Sequence, residues 1–264
     1  MSDDLSVDSE MREQAPGTPT RSMAPRENAV LVLGMHRSGT SCLAGSLQQA
    51  GLILGNVITS SAHNQKGNRE NKTAMMLHEE VLTDSGGSWI EPPETVVWNA
   101  DQNARLDAIV ASYRQDRLWG IKDPRILILH DAWAARLKNP RYVGSIRHPL
   151  EVIKSIQARQ PKYTDTAKLF AAWHAYNSRL LDLWEEHQFP IVNFNCSAAE
   201  YAQQIETVSK RLGLGATTMD HPPFFESRLI HQEQDERYLP VDIADCYQRL
   251  LEAARGVSLV GNSR

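Results

Sequence analysis

The eight residues Gly34-Met-His-Arg-Ser-Gly-Thr-Ser41 constrain this chain more than any other stretch. They follow Ala29-Val-Leu-Val-Leu33, a short continuous apolar run that suits a buried strand. A helical pattern over 39–50 comes next, with Gly51 where a C-terminal cap belongs. Two glycines let the backbone wrap closely, so several N–H groups can point at one anion. The helix adds its N-terminal dipole and its unbonded N–H groups at the same spot. A glycine turn between such a strand and such a helix reads as a phosphate-binding loop.

The rest of the chain repeats this alternation. Strands are expected at 118–121, 141–146 and 190–194, and helices over 69–83, 101–115, 126–137, 149–159, 165–187, 198–212 and 242–254. The stretches 55–68, 86–100 and 220–240 read as loops. Alternation of this kind predicts a three-layer α/β domain, a central parallel sheet with helices on both faces, over residues 29–264. Ligands of such sheets bind beyond the carboxyl ends of the strands, so the junctions 34–41, 122–125 and 147–155 carry the functional reading.

The first junction departs from the ATPase loop G-x-x-x-x-G-K-[ST] in an informative way. Thr40 stands where that motif has its Lys, and the cation has moved into the loop as Arg37, beside His36. The missing Lys weakens a kinase or ATPase reading, because that Lys normally reaches the terminal phosphates. The third junction, Arg147-His-Pro-Leu-Glu-Val-Ile-Lys-Ser155, leaves a strand and enters a helix. Arg147 can fork two hydrogen bonds onto a phosphate, and Ser155 in the second turn can return its hydroxyl to the same group. A ligand with phosphates at both ends needs two separated anion sites of this kind.

GMHRSGTS (34–41) together with RHPLEVIKS (147–155) resembles the sulfotransferases that use 3′-phosphoadenosine 5′-phosphosulfate (PAPS). KGNREN (66–71) and IKDPR (121–125) look like a bacterial branch of that family, and the resemblance spans about 29–215. It implies a P-loop NTPase-like sulfotransferase fold. It also implies that His36, Arg37, Ser38, Gly39, Thr40 and Ser41 cradle the 5′-phosphosulfate, while Arg147 and Ser155 hold the 3′-phosphate. Arg37 falls where many relatives carry a loop Lys, which gives it a role at the leaving oxygen.

Sulfuryl transfer resembles phosphoryl transfer, an in-line attack with charge spread over equatorial oxygens. Backbone N–H groups, Arg37 and Lys122 are placed to stabilise that charge, and no metal is required. An acceptor hydroxyl must also lose its proton to a base. Glu70 matches the acidic residue of a KG-x-x-E pattern, although Asn68 and Arg69 replace the usual aromatic pair. As an alternative to a base, Glu70 reads as a solvated carboxylate at a helix start. Asp123, at the end of a strand, competes for the base role, or else serves as a structural carboxylate bonded to Arg125 or to loop N–H groups.

Composition narrows the partners. With 28 Lys+Arg against 32 Asp+Glu the net charge is −4, which argues against a nucleic-acid or anionic-membrane coat protein. Cys42, Cys196 and Cys246 build neither a disulfide framework nor a zinc spacing, so a cytoplasmic home is expected. His63, His78, His130, His221 and His231 form no metal-binding cluster. Residues 1–28 are polar and read as a disordered tail, and no apolar run approaches the length of a membrane span. Trp173, His174 and Tyr176 share one long helix and read as core or groove lining. The expected activity is transfer from PAPS to a hydroxyl or amine of a small-molecule, lipid or saccharide acceptor. An ATP-dependent P-loop kinase and a catalytically silent nucleotide-binding protein are the alternatives. Acceptor choice falls to segments 55–115, 156–170 and 220–245, the last with Pro222, Pro223, Phe224 and Phe225; Arg159, Lys162 and Arg228 would suit an anionic acceptor.

Overall fold

A computed structural model of the chain describes residues 27–60, 67–113, 117–215 and 239–258. The expected disordered tail, apart from Glu27 and Asn28, lies outside these residues, as do Lys66, Pro222, Pro223, Phe224, Phe225 and Arg228. Four strands, β1 (Ala29–Leu33), β2 (Trp119–Lys122), β3 (Arg141–Ile146) and β4 (Ile191–Asn193), form one parallel sheet in the order β2-β1-β3-β4. The side chains of β1 alternate between two apolar layers, as a period of two requires. Val30 and Val32 pack with Leu43, Leu47, Val208 and Leu212, whereas Ala29, Leu31 and Leu33 join Leu77, Val81, Trp173 and Tyr176. Both faces of the sheet are therefore covered, which is the condition under which parallel strands are stable.

The first layer is built by α1 (Thr40–Gln49) and α7 (Ala198–Leu212). Opposite them lie α2 (Lys72–Asp84), α3 (Ala100–Ala111), α6 (Thr166–His187) and α8 (Val241–Ser258). The short α4 (His130–Ala134) and α5 (Pro149–Arg159) join this second layer through Trp133, Val152, Ile153 and Ile156. Each fully buried Leu or Ile in these layers contributes about 1.5–3 kcal/mol. The three-layer α/β architecture expected from the sequence is the one observed. Among the described residues no helix is long and apolar enough to cross a membrane.

Four expected helices differ: that over 101–115 ends at Ala111, that over 242–254 runs on to Ser258, and two others change more instructively. The stretch 126–137 is not one helix: a 3₁₀ turn over Pro124–Leu127 precedes α4. Asp123 ends β2 with its side chain bonded to the N–H of Arg125, and Pro124 follows at the first helical position, so the chain turns tightly before α4. The helix expected from 69 begins at Lys72, because the side chain of Asn71 accepts from Thr73 N and Ala74 N and caps it there.

The strand order places the functional junctions. From β1 the chain passes to β2 on one side, then crosses to β3 on the other. The crevice between the carboxyl ends of β1 and β3 is thus the topological switch point, where open α/β sheets bind ligands. The loop 34–39 leaves β1 there and Arg147 leaves β3 there.

Candidate active site

Two glycines make the loop after β1 possible. Gly39, at the N-cap of α1, has φ 87°, and a Cβ on it would collide with the Phe194 ring. Gly34 has φ 142°, and its Cβ would stand 2.5 Å from the Ser145 carbonyl oxygen and 2.7 Å from Thr40 Cγ2. Side chains rarely adopt either backbone conformation, and neither site has room for one. Arg37 also lies in the left-handed region, at φ 66°. Ser145 Oγ donates to the Ser38 carbonyl at 2.6 Å and ties the loop to β3. The hydroxyl of Ser38 is buried with no hydrogen-bond partner.

The structure brings the first and third junctions together. Arg37 Nε donates to Ser155 Oγ at 2.9 Å, across 118 residues of sequence. Arg147 donates to the Arg37 carbonyl at 3.3 Å and to Glu151 at 3.4 Å, and its guanidinium lies 5.7 Å from the centre of the Phe194 ring. Both hydrogen bonds are long, and Arg147 Nε is buried without a partner. Burial, then Arg159, then Arg147 pull the Arg37 guanidinium down to about 10. Arg159 at the end of α5 and Arg147 at the crevice thus raise the cost of charge on Arg37. Arg159, weighed only for acceptor binding in the sequence, belongs electrostatically to this group. Lys154 reaches Glu151 at 3.6 Å.

A second polar cluster sits at the carboxyl end of β2. Lys122 Nζ and Glu70 Oε1 are 2.6 Å apart, with side chains only 2% and 9% exposed. Glu70 is therefore not the solvated helix-start carboxylate that the sequence allowed; it precedes the Asn71 cap and is buried against Lys122. Asp123 has both oxygens engaged. Oδ1 accepts from Arg125 N at 3.0 Å and from Arg125 NH1 at 2.9 Å, and Oδ2 meets His78 Nδ1 at 2.9 Å. Burial alone raises the Asp123 carboxyl, but Arg125 and then His78 hold it well below the usual carboxylate range. Trp133 Nε1 donates to His78 Nε2 at 3.0 Å. An acceptor role at Nε2 leaves the His78 proton on Nδ1, facing Asp123. Arg125 reaches on to Glu79.

His36 joins the two clusters. Its ring tilts against Trp89 at 4.5 Å between centroids and meets the edge of Tyr176 at 5.8 Å. Trp89 packs edge-on to Tyr163 at 5.4 Å, so the loops 86–100 and 156–170 form an aromatic wall beside the phosphate-type loop. His36 Nε2 and the Tyr176 hydroxyl are buried without hydrogen-bond partners. Burial, followed by Arg125, drives the His36 imidazole well below its ordinary value.

Sequence reasoning passed over Trp133 and Trp89, weighed His78 only as a metal ligand, and read Tyr176 as core or groove lining. For His78 a signal existed: it lies one turn after Ala74 on the buried face of α2, where a polar group demands a partner. The others lacked one, because their partners arrive from distant segments.

No protein-family model matches the sequence, and no curated protein matches it. The fold, however, is that of sulfotransferase domains. The sulfotransferase domain of the Synechococcus PCC 7002 olefin synthase aligns with a TM-score of 0.50 and 18% identity, covering 91% of this chain and 98% of that domain. The sulfotransferase domain from the curacin biosynthetic pathway aligns with a TM-score of 0.51 and 13% identity, covering 86% and 99%.

Proposed function

We propose that the chain transfers a sulfuryl group from PAPS to a hydroxyl, or an amine, of a small-molecule, lipid or saccharide acceptor and releases the bisphosphate PAP. The observation that carries this reading is the pair of anion-binding features at one topological switch point. Arg37 and the loop 34–41 stand on the β1 side, Arg147 and Ser155 on the β3 side, and Arg37 touches Ser155 directly. The residues suit a doubly anionic nucleotide. The Ser38 hydroxyl and Arg147 Nε are buried donors lacking partners, and Arg37, Arg147 and Arg159 crowd together with Glu151 as the acid at Arg147. An anion there would satisfy the free donors and relieve the repulsion.

In this reading the loop and Arg37 bind the phosphosulfate end and stabilise charge on the departing phosphate oxygen. Arg147 and Ser155 orient the 3′-phosphate. Lys122, held by Glu70, presents an ammonium at the carboxyl edge of β2 for the equatorial oxygens of the moving group. The Asp123–Arg125–His78 network fixes the 3₁₀ turn that follows. Aromatic side chains from Trp89 to Tyr163 bound the acceptor side.

The test is thermal denaturation with PAP, with ATP–magnesium and with neither, on wild type, Arg147→Ala and Ser155→Ala. A ligand that binds only the native state at about 100 times its Kd adds about 2.7 kcal/mol. The reading expects metal-free PAP to stabilise the wild type, and both variants to lose most of that gain. Protection by ATP–magnesium alone would replace it with a kinase.

A further inference from the structure

The acceptor's proton needs a destination, and the two carboxylates suggested by the sequence are poorly placed to receive it. Asp123 already accepts three hydrogen bonds and is 1% exposed. Glu70 is locked to Lys122 at 2.6 Å, and a proton taken by Glu70 would strand a buried ammonium. One basic group near the loop is not committed. His36 stands on the loop itself, next to Arg37, with Nε2 buried and lacking any hydrogen-bond partner. Its ring is fixed by Trp89 on one side and Tyr176 on the other, so the nitrogen has a defined position. The charged groups that act on it are Arg125, Asp123, Lys122 and Arg37, three cations to one anion. This balance, with burial, holds the imidazole well below its ordinary value and favours the neutral ring.

We infer that His36 is the general base of the reaction, taking the acceptor's proton through an imidazole nitrogen held between Trp89 and Tyr176. The inference rests on the sulfuryl-transfer reading. In the step, the acceptor oxygen forms a bond to sulfur as the bond from sulfur to the bridging phosphate oxygen breaks. The electron pair of that bond leaves with the nucleotide's 5′-phosphate, and the acceptor's proton passes to His36, which becomes imidazolium. This gives a single loop both anion binding and proton removal.

The experiment compares wild type with His36→Gln, following PAP release from PAPS with water as the acceptor and with 4-nitrophenolate, which has no proton to lose. A general base contributes about 100- to 10,000-fold. The variant should lose about 100-fold or more on water yet less than about tenfold on 4-nitrophenolate. Equal losses on both probes would assign His36 a structural role and overturn the inference. PAP affinity measured by calorimetry separates the two levels of argument. If wild type does not bind PAP, the sulfotransferase reading itself fails. If it binds PAP but releases none from PAPS with either probe, there is no proton transfer for His36 to serve, and the inference falls alone. Nitrogen NMR of the wild-type imidazole gives a readout independent of the variant's folding. A neutral His36 ring at pH 7 is required, and an imidazolium there overturns the assignment.

Discussion

The ion pair between Glu70 and Lys122 can be separated from its surroundings by a double-mutant cycle. Its side chains are 9% and 2% exposed and its atoms 2.6 Å apart, so neither charge has much water to fall back on. Removing one partner from a buried pair costs about 3–5 kcal/mol, most of it the penalty of the orphaned charge. Against a domain stability of about 5–15 kcal/mol, either Glu70→Leu or Lys122→Met alone should destabilise the protein severely. Replacing both by apolar residues of similar size removes the charges together, and such exchanges are often neutral or mildly stabilising. The double variant Glu70→Leu/Lys122→Met should therefore lie far closer to wild type than the sum of the singles, which amounts to about 6–10 kcal/mol, so the coupling energy should exceed the about 3 kcal/mol that bounds ordinary contacting pairs. Urea denaturation of the four proteins, read at constant m, measures it. On the proposed function, in which Lys122 serves the transfer and not the nucleotide's 3′-phosphate, the double variant should still bind PAP while losing turnover of PAPS. Additive costs for the two substitutions would refute the reasoning, since they would mean that the two groups do not depend on each other in the folded protein.

Three further outcomes follow from the geometry. Gly39→Ala forces a methyl group toward the Phe194 ring at φ 87°; the left-handed backbone alone costs about 1–2 kcal/mol, and PAP affinity by calorimetry should fall by at least about tenfold as the loop shifts. Trp133→Phe removes the donor to His78 Nε2 at the 0%-exposed His78 and should cost about 1–3 kcal/mol in denaturant unfolding. The His36 imidazole is held below its unfolded value, so its contribution to stability is complete above about pH 6.5 and is lost as pH falls beneath that. Wild type should therefore lose up to about 1.4 kcal/mol per pH unit more than His36→Gln on acidification below about pH 6.5, measured by urea midpoints across that range.

What was legible in the sequence is what depends on neighbours in the chain. The run 29–33 announced its burial through composition, and the glycines at 34 and 39 announced a turn that β-carbons would obstruct; both features are local and both are present. The helix over 198–212 was legible to the residue because its signals are also local: Ser197 and Glu200 close a capping box, and Gly213 ends the helix in the left-handed conformation. The helix after β2 was misread because local apolar periodicity outweighed the turn that Asp123 and Pro124 impose. The charged groups were legible as residues and illegible as pairs. Glu70 looks like a solvated helix-start acid until Lys122 arrives from 52 positions away, and nothing beside Ser155 in the sequence announces that Arg37 meets it from 118 positions away.

The same distinction bears on the choice of base. A sequence displays which carboxylates stand near strand ends, and so nominates Glu70 and Asp123 by position. It does not display how many donors each carboxylate already satisfies. Once Arg125, His78 and Lys122 are placed, the acids at the end of β2 are committed to cations that would otherwise be buried unpaired, and each serves the architecture of the 3₁₀ turn or the placement of Lys122. At the β1–β3 crevice, among the described residues, the Arg37 guanidinium bonds to the Ser155 hydroxyl, and Arg147 reaches Glu151 at 3.4 Å while its Nε finds no partner. The acids at the end of β2 are thus engaged by cations while the cations of the crevice face few acids, and the two clusters lie on adjacent strands of one sheet with the ring of His36 between them.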